Sequence, residues 1–265
     1  MRRVKRKKSV YPGRQLQKVK RHLKKLLILC CVILIGFIGM RATLFVKDSD
    51  YFSIKEITVS GAKVLSKEYI TGLLSIEEGF NIFKVDIDNL SRILKNEPWI
   101  KKVKVERSLP GTLAIHVEER MPFAILASDE TYLLDADGFV ITKPGKGGKS
   151  YPVIKGIERA EYRAGDRAAS EKIDRGLLVL RSMRHSGLYQ LSDIVAVNVS
   201  DTDRIAVKTV YQTTLNLDGN LIEREIARLK TISKILKKEK RRIKQMDLSF
   251  EKRVVVKFAK KEVIK

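Results

Sequence analysis

Two cysteines, three histidines and one tryptophan are all that 265 residues hold of these types. Both cysteines, Cys30 and Cys31, sit side by side in one apolar run, so the rest of the chain can form neither a disulfide nor a thiolate metal site. The histidines, His22, His116 and His185, are scattered, and no pair has the spacing of metal ligands. Carboxylates are missing before Asp48. Aromatics make up only 7% and do not interleave with the basic residues, which removes the stacking pattern of a nucleic-acid binder; no nucleic acid is expected as partner. With no staple and no metal, the chain must stand on an apolar core, which ~200 residues can supply.

Charge is abundant but local. Lys and Arg number 54 against 31 acids, a formal net charge of +23, yet twelve of the basic residues fall in residues 1–25. That cluster abuts Leu26–Met40, LLILCCVILIGFIGM, the most apolar stretch of the chain. At ~1.5 Å per residue it would reach about 22 Å, short of a ~30 Å hydrocarbon core. If Arg41 snorkels, Ala42–Val46 extends the span to residues 26–46. No polar face argues for a buried soluble helix, and Met40-Arg41-Ala42-Thr43 is a poor cleavage site, so an uncleaved anchor is expected. The positive-inside rule then places the tail 1–25 in the cytoplasm and residues 47–265 outside, with the tail also able to hold anionic lipid headgroups.

Beyond the anchor the pattern is mixed. Ile54, Ile57 and Val59 begin a strand closed by Gly61, and Ser66 can cap a short helix carrying Tyr69, Ile70, Leu73 and Leu74. Asp86 or Asp88 can cap a second helix with Leu90, Ile93 and Leu94, stopped by Pro98. Strands follow over Ile100–Val105 and Leu113–Val117, with Pro110-Gly111 as the turn between them. The second half predicts a hairpin at Tyr132–Val140, a strand at Tyr151–Ile154 and a helix over Ser170–His185. Strands near Ile194–Val199, Arg204–Val210 and Thr213–Leu217 precede a long helix, Leu221–Lys240. Its last turn carries Lys237, Lys238 and Lys240, with Arg241 next, which complement the helix dipole. Two last strands, Met246–Phe250 and Arg253–Phe258, complete an α+β chain.

No catalytic set is legible. Ser249-Phe250-Glu251-Lys252 matches S-x-x-K but lacks the partner motifs of that chemistry, and Ser249 falls at a strand end rather than a helix start. Gly148-Lys149-Ser150 has Lys143 where a phosphate loop needs its first glycine. His116, between Ile115 and Val117, reads as a solvent-facing strand position. Neither an enzyme nor a cofactor is expected. The feature that invites a function is the last strand, short and β-branched, which near the chain end could pair on one side only and offer its backbone to a partner. A proline at Val255 is expected to remove a partner-facing donor.

Several segments together carry a resemblance: Gly61; Gly79-Phe80-Asn81-Ile82-Phe83-Lys84-Val85-Asp86; Pro98-Trp99-Ile100; Arg107-Ser108-Leu109-Pro110-Gly111-Thr112-Leu113; and Glu118-Glu119-Arg120-Met121-Pro122. In this order, after an anchor, they resemble the POTRA domain of the FtsQ/DivIB cell-division proteins. The resemblance implies a cytoplasmic tail 1–25, an anchor 26–46, a β-α-α-β-β POTRA domain 52–121, a second α+β domain 122–260 on a mostly antiparallel sheet, and a short tail 261–265. It implies a non-enzymatic scaffold at the division septum that binds FtsB/DivIC-like and FtsL-like partners in the cytoplasmic (inner) membrane and links early division proteins to septal wall synthesis. The partner site carried over is Phe250, Arg253, Val254, Val255, Val256 and Phe258. POTRA recruitment surfaces fall within Ile54–Arg120. The alternative is a POTRA-bearing polypeptide transport or chaperone component, though one module and no barrel strands are visible. The oligomeric state is left open.

Overall fold

An unbroken apolar run with no β-branched alternation makes a helix, and here the helix is long. The computed structural model describes residues 13–76, 79–144, 150–236 and 242–259. Its first element, α1, runs Gly13–Asp48 without a break at Arg41. The segment His22–Asp48 is long and apolar enough to cross a membrane, and it is not buried against the rest of the chain. Leu26–Val46 is helical throughout, a rise of about 31 Å, which matches a hydrocarbon core.

After α1 come β1 (Glu56–Ser60), α2 (Lys67–Leu74), α3 (Ile87–Lys95), β2 (Ile100–Ser108) and β3 (Thr112–Glu119), the expected β-α-α-β-β order, with sheet order β1-β3-β2. Contacts divide the described residues into two compact units.

The first holds the residues up to Thr58 with Ile76–Ile87 and Glu106–Ala114. It fastens the end of α1: the Asn81 amide donates to the carbonyls of Val46 at 3.0 Å and Ser49 at 3.1 Å. Phe52 meets Phe83 edge-on at 5.1 Å. Arg107 donates to the carbonyls of Ile82 (2.8 Å) and Val85 (2.7 Å), tying down the segment that carries Asn81. Gly111 must be glycine, because a Cβ there would fall on the Ser53 carbonyl oxygen.

The second unit holds Val59–Ser75, Asp88–Val105 and everything from Ile115 on. Ser66 caps α2, its hydroxyl accepting from the Tyr69 N–H at 3.1 Å. The Glu119 carboxylate gathers the backbone N–H groups of Lys63, Val64 and Leu65 at 2.8–3.0 Å. Burial opposes its charge, but the N–H groups of Leu65, Val64 and Lys63 outweigh that and hold the carboxyl below the usual glutamate range.

The remaining strands are β4 (Pro122–Ala127), β5 (Thr131–Asp135), β6 (Val140–Thr142), β7 (Val153–Lys155), β8 (Ile194–Asn198), β9 (Arg204–Thr209), β10 (Thr214–Asp218), β11 (Ile243–Asp247) and β12 (Val255–Phe258). They build one nine-stranded sheet, order β12-β11-β10-β9-β8-β7-β4-β5-β6. Five neighbouring pairs are antiparallel; β4–β7, β7–β8 and β10–β11 are parallel. Two of the parallel pairs are βαβ crossovers through α4 (Glu171–Ser186) and α5 (Ile222–Leu236). Both helices lay apolar stripes on the sheet: Ile173, Leu177, Leu180 and Met183 from α4, and Ile222, Ile226 and Leu229 from α5, in one core with Val197, Val207, Leu215, Leu217 and Met246. Each such side chain contributes about 1.5–3 kcal/mol on burial.

The structure departs from sequence expectation in three places. β4 was not foreseen; it begins at Pro122, and its FAILA run shows no alternation because it is covered on both sides of its backbone, Phe123, Ala124 and Leu126 all being buried. The strand expected at Met246–Phe250 is Ile243–Asp247. It stops because the Asp247 carboxylate accepts from the Ser249 N–H (3.1 Å) and hydroxyl (2.6 Å), which turns the chain. The last strand starts at Val255 rather than Arg253. The basic cluster Lys237, Lys238, Lys240 and Arg241, the residues Gly148 and Lys149, and the tail 261–265 lie outside the described residues, as do residues 1–12 of the basic tail.

Candidate partner-binding edge

The crossover β10-α5-β11 delivers the chain to one side of the sheet, and β12 then folds back antiparallel on β11. Val255 faces Asp247, Val256 faces Met246, Lys257 faces Gln245 and Phe258 faces Ile243, with an irregularity between Ile243 and Gln245. β12 is the end of the strand order.

Which way its backbone groups point follows from two bonds. Leu248 N–H donates to Asn216 on β10 at 2.9 Å, and Ala259 N–H donates to Arg242 at 2.8 Å. Alternation along each strand turns Gln245 and Asp247 toward β12, and Val255 and Lys257 toward β11. The Val256 N–H points the other way. A proline at Val255 would therefore break the sheet itself; the position that tests an outward donor is Val256.

Side chains alternate too. Val254 and Val256 pack against the core, while Val255, 37% exposed, and Lys257 lie on the open face of the sheet. Phe250, 38% exposed, lies in the turn before β12, and the Arg253 guanidinium sits 4.8 Å from its ring centroid. All six expected site residues thus fall on β12 or the turn that leads to it.

Two groups around the edge were not visible in the sequence. On α5, Arg228 donates to Glu225 (3.0 Å) and to the carbonyls of Leu248 (3.2 Å), Phe250 (3.1 Å) and Arg253 (3.4 Å). On the open face, Asp247 accepts from Arg204 (2.6 Å) and Asn216 (3.3 Å) as well as Ser249. Burial disfavours its charge, yet the bonds from Ser249, Asn216 and Arg204 hold its carboxyl below the usual aspartate range. Helical and strand periodicity report which face a residue takes, not which loop carbonyl it reaches.

The residues weighed for chemistry are dispersed. Ser249 donates its N–H and hydroxyl to the Asp247 carboxylate, the bonds that close the turn after β11. His116 is exposed on β3 with its Nδ1 2.7 Å from the Ser60 hydroxyl, and His185 is exposed near the end of α4. Among the described residues no group of three or more His, Cys, Asp or Glu could hold a metal ion.

Comparison with known proteins bears on this architecture. Residues 52–120 match the POTRA domain of FtsQ type, and residues 124–249 match the C-terminal domain of cell division protein FtsQ/DivIB. The chain is 31% identical over 211 residues to cell division protein FtsQ of Syntrophotalea carbinolica, covering 79% of this chain and 75% of that one. The chain belongs to the FtsQ/DivIB family. It is also 26% identical to FtsQ of a Geobacter species over 84% of this chain and 82% of that one. Over 44% of each chain it is 27% identical to cell division protein DivIB of Clostridium tetani. FtsQ/DivIB membership assigns a role in cell division, a POTRA domain is present, and the apolar part of α1 fits a membrane anchor. The FtsQ/DivIB C-terminal match ends just after β11, so β12 and most of its preceding turn lie beyond it.

Proposed function

We propose that the chain is a non-enzymatic scaffold of the division machinery that receives a partner strand along β12. The partners are of FtsB/DivIC and FtsL type, and the contact links early division proteins to septal wall synthesis. In this reading α1 spans the cytoplasmic membrane with residues 1–25 inside, and the POTRA module at 52–121 and the domain at 122–260 lie outside, gathered at the septum. No cofactor, metal or nucleic acid takes part. The observation that carries the reading is the place of β12 at the end of a nine-stranded order, with the Val256 N–H turned away from β11. Strand addition uses such a row of backbone groups, with alternate side chains giving specificity.

The test is binding of the cognate FtsB-type protein to the full chain in detergent micelles, by calorimetry. Val256→Pro is expected to weaken binding at least tenfold (about 1.4 kcal/mol) with little change in unfolding, since the lost N–H serves no bond to β11. In the unaltered chain, the Val256 amide should gain hydrogen-exchange protection on complex formation. Full affinity in the variant together with unchanged exchange would reject the edge. The transport alternative draws support only from the POTRA module, and the FtsQ/DivIB match to residues 124–249 favours the division reading.

A further inference from the structure

We propose that Arg228, held by the carboxylate of Glu225, is a positioning residue that sets β12 for its partner; the inference rests on the edge reading above and names what keeps that edge in register. A four-residue strand with one neighbour is weakly held, and a slip of one residue would exchange its two faces. Something other than the ladder must fix its start.

Arg228 does this by geometry. Its guanidinium reaches carbonyls just past β11 (Leu248), within the turn (Phe250) and shortly before β12 (Arg253). One planar fork on a rigid helix therefore gathers both limbs of the turn. Lysine, with a single ammonium, cannot reproduce that spread. Arg224 adds a weaker tie at 3.7 Å to Glu251 in the same turn.

The pairing with Glu225 argues for placement over stability. Glu225 is 1% exposed, while Arg228 retains 23% exposure. The Glu225 Oε2 is buried with no hydrogen-bond partner among the described residues, so Arg228 carries the neutralisation. A buried ion pair of this kind is often replaceable by apolar residues at no loss of stability, whereas removing one partner is damaging. The pair earns its place by specifying where the turn sits.

That distinction supplies the experiment. In the full chain in micelles, the double variant Glu225→Leu/Arg228→Met should keep the thermal midpoint of the wild type. It should bind the cognate FtsB-type protein at least tenfold more weakly, with faster amide exchange confined to residues 249–258. Arg228→Lys, which leaves Glu225 paired, should fold and lose severalfold in affinity; it decides the matter if the double variant does not fold. Wild-type affinity in the folded variants, with Val256→Pro still impaired, overturns the positioning role and leaves the edge reading standing. If Val256→Pro also binds normally and Val256 gains no protection on binding, the edge reading falls and this inference with it.

Discussion

At the scale of single residues, the strongest constraints are carboxylates and glycines that serve backbone. Glu119 gathers three consecutive N–H groups, so its loss leaves donors unmet in the Lys63–Leu65 loop. Glu119→Gln is expected to destabilise by about 1–3 kcal/mol in chemical denaturation, because bonds to a charged acceptor are the strong ones. The pH dependence has a definite sign. With the folded-state pKa below the unfolded value of about 4.3, the contribution is complete above that pH and is lost as pH falls through the folded value. Asp247 acts in the same direction. The wild type should therefore lose stability on the acid side of pH ~4, and Glu119→Gln should flatten that slope. Gly61 sits at φ +85°, and a Cβ there would collide with the Val117 carbonyl oxygen. Gly61→Ala should cost roughly 2 kcal/mol or more, from the left-handed conformation and the clash together, measured by urea unfolding.

These residues also mark how far the sequence could be read. Ser66 as a cap and Pro110-Gly111 at the turn are local signals, with physical causes within four residues, and both were legible. Glu119 bonds to backbone groups 54 or more positions away and Arg228 to loop carbonyls 20 or more positions away, and nothing in their own neighbourhoods announces those bonds. The candidate edge was visible as a segment, because β-branched runs are visible. Its orientation was not, because that depends on a bond between Leu248 and Asn216 and another between Ala259 and Arg242.

Among the elements, β12 and β4 are opposites. β4 lies between β5 and β7 with Phe123, Ala124 and Leu126 buried, so it carries no alternating pattern and is hard to tell from a loop-flanked apolar patch. β12 alternates cleanly because one of its faces is open. Their dynamics should differ accordingly. In the unbound protein, amides of β12 are expected to exchange on the order of a hundredfold faster than those of β9 and β10, which have neighbours on both sides. Equal protection across the sheet would mean that β12 is already covered. The same contrast explains why α4 and α5 were located well: each presents an apolar stripe to one sheet face, the arrangement that produces a readable 3.6-residue period.

For the molecule as a whole, the net charge of +23 is unevenly placed along the chain. Twelve basic residues precede the apolar run, while Asp48 and Asp50 follow it. Deleting residues 2–25 is expected to yield a mixture of orientations, scored by a reporter fused after residue 265, without altering the unfolding of the residues that follow α1. A uniform, correctly oriented product would show that the apolar run suffices.

The clasp by which Asn81 holds the carbonyls of Val46 and Ser49 has a mechanical meaning. A protein hung from a slack cord can turn freely above the lipid; one gripped at the last turn of its spanning helix turns only when the helix turns. Torque and height are thus handed from the bilayer to the segment around Phe83, and a neighbour sharing the membrane meets it at a fixed elevation. Lengthening the join with a few glycines after Ser49 would give back that slack.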